Sequence, residues 1–142
     1  MIETAPQLQS PPETLNQWHT VIVVDDDPQT LSAIRRLLDR EPYDVLTTDR
    51  PALALEWMDR KNISLAISDQ RMPEMDGDLF LEDVWKKSPR TARLLLTGYP
   101  EMIRQIPRSR RVLVRVMAKP WNDGILKRTI RHLLRDQESA ME

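Results

Sequence analysis

Five short apolar runs alternate with amphipathic helical stretches along this chain of 142 residues, and that alternation restricts the fold more than any other feature of it. Val21-Ile22-Val23-Val24 is β-branched, too short for a helix and followed by acids, so it reads as a buried strand. Asp27-Pro28 then offers a helix N-cap and first-turn pair. Behind it Leu31, Ile34, Leu37 and Leu38 recur at helical spacing. Tyr43 to Thr48 is the second predicted strand, and Pro51 to Arg60 a helix with Ala54, Leu55 and Met58 inward. Ile63 to Ser68 is the third strand, and Gly77 to Lys87 a helix packing Leu79, Phe80 and Val84. Ala92 to Leu96 is the fourth strand, followed by a short helix from about Glu101 that Pro107 stops. Val112 to Met117 is the fifth, and Trp121 to about Gln137 the last helix, striped by Leu126, Ile130, Leu133 and Leu134. Strand–helix units joined by short connections call for a parallel sheet with helices on both faces and right-handed crossovers. Val21–Val24 and Leu94–Leu96 belong in its interior, and Arg115 suits an edge strand.

A chain of this length forms one domain with a core of its own. With 40% apolar and 30% charged residues and a formal net charge of −1, its bulk charge favours neither nucleic acid nor membrane as a partner. It has no cysteine, which fits a reducing cytoplasm, no apolar run long enough to span a bilayer, and no basic-then-apolar start. Residues 1–20, with Pro6, Pro11 and Pro12, read as an arm, mobile or loosely docked. The domain proper is set at 21–136, and 137–142 is a C-terminal tail.

Parallel strands deliver their carboxyl ends to one rim. There the first strand brings Asp25 and Asp26, the third Asp69, the fourth Thr97 and the fifth Lys119. Three carboxylates about 4–5 Å apart repel by roughly 3–4 kcal/mol per pair at an effective dielectric near 20. Lys119 alone does not balance that, so either a proton is taken up or a cation sits among the acids. Oxygen ligands with room for waters suit Mg²⁺. Cation, free carboxylate, hydroxyl and ammonium together suit phosphoryl transfer, with Asp69 attacking phosphorus in line. Singly each residue has a plainer reading: Asp25 to Asp27 as a solvated acidic cap, Asp69 as a turn residue, Thr97 as strand-end filler, Lys119 as surface lysine. Their joint placement favours the site, except for Asp27, which reads as the cap.

The words Val23-Val24-Asp25-Asp26, Ser68-Asp69 with Met72-Pro73-Glu74-Met75-Asp76-Gly77, Leu96-Thr97-Gly98 and Ala118-Lys119-Pro120 stand in order across about Thr20 to Leu134. On these residues the chain resembles a response-regulator receiver domain of two-component signalling. The resemblance implies a flavodoxin-like, doubly wound α/β fold with sheet order 2-1-3-4-5. It makes Asp69 the phosphoacceptor, with Mg²⁺ held by Asp26, Asp69 and the backbone carbonyl of Arg71, and by Asp25 through water. Thr97 and Lys119 would contact the phosphoryl oxygens, and the Lys119–Pro120 peptide would be cis. A sensor histidine kinase or phosphotransfer protein is the expected donor. A downstream protein is the expected target, reached through the face of the fourth predicted helix, fifth strand and last helix, and a homodimer through the face of the last two strands and helices stays open. The chain is expected to be a phosphoacceptor rather than an enzyme, limited to self-catalysed phosphorylation and dephosphorylation. Ser68-Asp69-Gln70-Arg71-Met72-Pro73, Leu96-Thr97-Gly98-Tyr99-Pro100 and Lys119-Pro120-Trp121 resemble receivers often joined to HD-GYP-type phosphodiesterase outputs.

Two departures stand out. Val116 occupies the position, three before the lysine, where the family usually has Tyr or Phe. The stretch after Gly98 carries Arg104, Arg108, Arg110 and Arg111, a solvated surface on the plainer reading and a match for an acidic partner patch on the sharper one. These departures favour a phosphate-independent interaction module as the alternative, and the intact acid–threonine–lysine set argues against it. A haloacid-dehalogenase-type phosphohydrolase needs a small residue where Gln29 stands, and no P-loop glycine pattern exists among Gly77, Gly98 and Gly124. His19 is placed in the arm, His132 on the last helix, and Trp57, Trp85 and Trp121 among packing residues. Gln70 is read as a variable side chain at the pocket mouth.

Overall fold

A computed structural model describes residues 14–101 and 114–140. The elements run β1 (His19–Val24), α1 (Pro28–Leu37), β2 (Tyr43–Thr48), α2 (Pro51–Arg60), β3 (Leu65–Ser68), α3 (Gly77–Lys87), β4 (Ala92–Thr97), β5 (Arg115–Ala118) and α4 (Asp123–Ala140). The strands form one parallel sheet in the order β2-β1-β3-β4-β5. β1 and β4 therefore lie inside the sheet, and Arg115 opens its β5 edge, as their compositions require.

The period-two alternation along β1 divides the core. Val21 and Val23 face one cluster with Ile34, Leu38, Leu126, Ile130 and Leu134, so α1 and α4 cover that side. Ile22 and Val24 face the other with Ala54, Phe80, Leu81 and Val84, which places α2 and α3 there. A fully buried Leu, Ile or Phe contributes about 1.5–3 kcal/mol by leaving water, and both faces of the sheet are closed by such residues. Asp27 caps α1 as expected: its carboxylate accepts from Gln29 N–H at 3.0 Å, with Pro28 in the first turn.

Several local expectations need correction. His19 is not part of an arm. It starts β1 opposite Tyr43, with Thr20 opposite Asp44, and its side chain is buried because polar partners await it inside. The domain does not stop at residue 136, since α4 continues through Ala140 and Glu138 is buried. On α3 the inward stripe is Phe80, Leu81 and Val84, which leaves Leu79 and Trp85 about 40% exposed (40% and 41%). Trp57 and Trp121 do pack against the two core clusters. The expected helix after Glu101, the four arginines beyond it and the start of the fifth strand at Val112 lie outside the described residues, as do residues 1–13.

Candidate functional site

Strand register assembles the pocket. Val24 pairs with Ser68, so the next residues, Asp25 and Asp69, emerge side by side, and Asp69 N–H donates to Val24 O at 3.0 Å. Thr97 pairs with Ala118, and Lys119 N–H donates to Thr97 O at 2.7 Å, which brings the lysine to the same rim. One carboxylate oxygen from each of Asp25, Asp26 and Asp69 falls within 4.8 Å of the others.

The three acids stand in different surroundings. Asp25 is buried and fully engaged: Oδ1 accepts from Asp27 N–H at 2.9 Å, and Oδ2 from Lys119 Nζ at 2.7 Å. Asp26 is open to solvent. Asp69 is partly covered, and its nearest Lys119 contact is longer, 3.3 Å. Burial pushes the Asp69 carboxyl above its ordinary range, assisted by the Asp25 charge; Lys119 and the Gln70 N–H only partly oppose this. Burial pulls the Lys119 ammonium down, but its contacts with Asp25 and Asp69 outweigh that and hold it above its usual value. One ammonium among three carboxylates leaves the pocket negative. An open array of carboxylate oxygens fits a hard divalent cation such as Mg²⁺.

Gly77 explains how the loop after Asp69 is held. A Cβ at this position would fall far inside contact distance of the Asp69 carbonyl, so only glycine lets α3 begin this close to the acid. Gly77 N–H donates to Gln70 O at 2.8 Å, and Ser68 Oγ–H to the Asp69 carbonyl at 2.8 Å. Gln70, expected at the pocket mouth, is instead buried. Its amide donates to Asp78 Oδ1 and accepts from Asp78 N–H, both at 2.9 Å, and so clips the loop to the first turn of α3. That role had a trace in the sequence, an acid in the first helical turn, but no local rule pairs it with Gln70 eight residues earlier.

Thr97 is fully buried at the rim, and its Oγ1 accepts from Tyr99 N–H at 3.0 Å. The Tyr99 ring lies under the Arg71 guanidinium, 4.6 Å from its centroid, so the loop after β3 and the segment after β4 touch across the pocket entrance. The Lys119–Pro120 peptide is cis. Val116 is half-buried and packs against the α2–α3 side of the core.

A doubly wound parallel α/β sheet with an acidic, lysine-bridged pocket at its carboxyl rim sets the class. The profile of the response regulator receiver domain matches residues 21–131, and the chain belongs to that family of two-component signalling domains. It is 33% identical over 119 residues to the hydrogenase transcriptional regulatory protein HoxA of Cupriavidus necator, covering 83% of this chain and 24% of that protein. The transcriptional regulatory protein GlrR of Escherichia coli is 28% identical over 122 residues, covering 86% of this chain and 28% of that protein. The chain thus spans about a quarter of the length of these relatives. Among solved structures, the signal receiver domain of an HD domain-containing protein from Pseudomonas fluorescens superposes with a TM-score of 0.81 at 28% identity, covering 90% of this chain and 95% of that one. A CheY-like receiver domain from Methanospirillum hungatei gives 0.79 at 25%, covering 87% and 99%. Among the described residues, no helix is long and apolar enough to cross a membrane.

Proposed function

We propose that this receiver is a phosphorylation switch in which Asp69 takes a phosphoryl group from a phosphohistidine of a sensor kinase or phosphotransfer protein, in the cytoplasm. The carrying observation is the cluster itself: three carboxylates within 4.8 Å, one of them, Asp69, partly open and only loosely held by Lys119. In the transfer an Asp69 oxygen forms a bond to phosphorus as the P–N bond breaks. The departing imidazole nitrogen keeps the electron pair, and with the proton already on the ring's other nitrogen the histidine leaves as neutral imidazole.

Bound Mg²⁺ would neutralise phosphoryl oxygens and lower repulsion with the incoming anion. Asp26 and Asp69 are the residues suited to hold it, with Asp25 already tied to Lys119 and the Arg71 carbonyl as a further ligand. Once Asp69 carries phosphate, the Lys119 ammonium gains an anionic acceptor beside Asp25. Thr97 can donate its hydroxyl hydrogen to a phosphoryl oxygen while still accepting from Tyr99 N–H, because a hydroxyl both donates and accepts. The added charge thus reaches Tyr99 and the Arg71 stack, and the surface formed by the segment after Thr97, β5 and α4 would bind a downstream protein, or a second copy of the chain, differently.

Intact-mass measurement after incubation with Mg²⁺ and a small phosphodonor tests this. The expected result is a one-phosphate adduct on the wild type and none on Asp69→Asn. Absence of an adduct with every donor and kinase tried would refute it. Val116 in place of the aromatic reporter supports one competing reading, an interaction module indifferent to phosphate. A change in partner affinity on phosphorylation of Asp69 would eliminate that alternative.

A further inference from the structure

The other end of the sheet, where the strands begin, holds a cavity of about 510 Å³. It lies among the residues preceding β1, β3 and β4, so the full height of the sheet separates it from the acidic pocket. Trp18, Lys61, Ser64, Lys87, Arg90 and Gln137 supply its chemistry, and no Asp or Glu lines it. In a chain of 21 Lys and Arg against 22 Asp and Glu, a lining with three cations and no acid is a local segregation of charge. Lys87 is occupied, with Nζ 2.8 Å from Asp59 Oδ1. Lys61 and Arg90 make no ion pair among the described residues. Lys61 caps the end of α2, where a cation also offsets the helix dipole, but Arg90 lies beyond α3 in the turn before β4 and has no such duty.

Two further features give the cavity a shape rather than a mere charge. Trp18 is 66% exposed and lines it, so an aromatic side chain is within reach of a ligand. The wall behind is fixed: Ser64 Oγ is 2.7 Å from His19 Nδ1, and His19 Nε2 is 2.7 Å from Glu138 Oε2. Glu138 in turn accepts from the N–H groups of Asn16 and Gln17, which positions the backbone immediately before Trp18.

We propose that this cavity binds a nucleoside phosphate. The base would stack on Trp18, as bases do on exposed aromatic side chains. Lys61 and Arg90 would hold the phosphate. The volume lies within the roughly 300–1,000 Å³ range of small-molecule sites. The site is independent of phosphoryl transfer at Asp69.

Calorimetric titration of the full chain with AMP, GMP, CMP and UMP tests it, with adenosine, inorganic phosphate and polyglutamate as comparison probes. At least one nucleotide should bind with a Kd of about 1 mM or tighter, more tightly than adenosine or phosphate. Trp18→Ala, Lys61→Ala and Arg90→Ala should each weaken it roughly tenfold, with thermal melts showing that each variant remains folded. No heat with any nucleotide would overturn the proposal, as would binding that all three substitutions leave intact. Phosphate binding as tightly as the nucleotides would reduce the site to a simple anion pocket. Binding of polyglutamate alone would reassign it to an acidic peptide.

Discussion

Glu138→Ala is the substitution whose cost the structure specifies best. The carboxylate is 3% exposed and its histidine partner 2%. Burial pushes Glu138 up, but the His19 hydrogen bond and the N–H groups of Asn16 and Gln17 outweigh it, so its carboxyl sits below the usual range and is ionised. A carboxylate acceptor on Nε2 places the ring proton there, and in the neutral ring Nδ1 then accepts from the Ser64 hydroxyl. Removing the carboxylate leaves the buried Nε2–H without a partner. Asn16 and Gln17 are exposed, so water replaces their bonds. Breaking a buried pair costs about 3–5 kcal/mol, and the wet backbone donors put this one near the lower figure. At about 2–4 °C per kcal/mol for a domain of this size, the melting temperature should fall by about 6–12 °C. Because the folded carboxyl is depressed, its stabilisation is present above the unfolded carboxyl range and lost as pH falls through the folded one. The gap between wild type and variant should therefore close in acid. Urea melts of Glu138→Ala, His19→Ala and the double variant give the coupling directly, expected at about 1.5–3 kcal/mol. A coupling below about 0.5 kcal/mol, or a gap that does not change with pH, would refute the reasoning.

Four other outcomes are expected. Asp69→Asn should melt higher than the wild type at neutral pH without metal. The raised folded pKa of Asp69 means its favourable state exists below the unfolded carboxyl range and is lost as pH rises through the folded value, so the advantage should vanish in acid. Mg²⁺ at about ten times its Kd should stabilise the wild type by about 1.4 kcal/mol, and Asp26→Ala should lose most of that in a thermal-shift titration. Gly77→Ala must displace the Asp69 carbonyl, so it should slow the appearance of the phosphate adduct in mass spectra and destabilise by about 2 kcal/mol or more. Gln70→Ala breaks two bonds to Asp78 and should cost about 1–3 kcal/mol in urea, because it leaves a buried acid and N–H short of partners.

What the sequence disclosed and what it withheld follow one physical division. Strands β1 and β4 were legible because a strand covered on both faces needs an unbroken apolar run. The sheet then does the rest, since parallel strands put Asp25, Asp69, Thr97 and Lys119 on one rim whatever the loops do. The order 2-1-3-4-5 came from the family resemblance, and the register confirms it. Leu79 and Trp85 were misplaced because α3 is short and apolar beyond its stripe, and composition alone does not choose which residues face inward. The Gln70–Asp78 clip and the His19–Ser64–Glu138 relay were hidden for a different reason. Each is a polar pairing inside the core, and its partners lie eight, 45 and 119 residues apart. Polar residues read by composition go to the surface, an expectation that puts His19 in an arm and Glu138 in a tail. Burial reverses that expectation wherever a complete set of partners exists, and here the set joins the start of the first strand to the end of the last helix. The two poles of the sheet are thus built on opposite terms. At the carboxyl rim the carboxylates outnumber their cation. At the amino rim Glu138 is satisfied from within, and the cations without an ion pair among the described residues are Lys61 and Arg90.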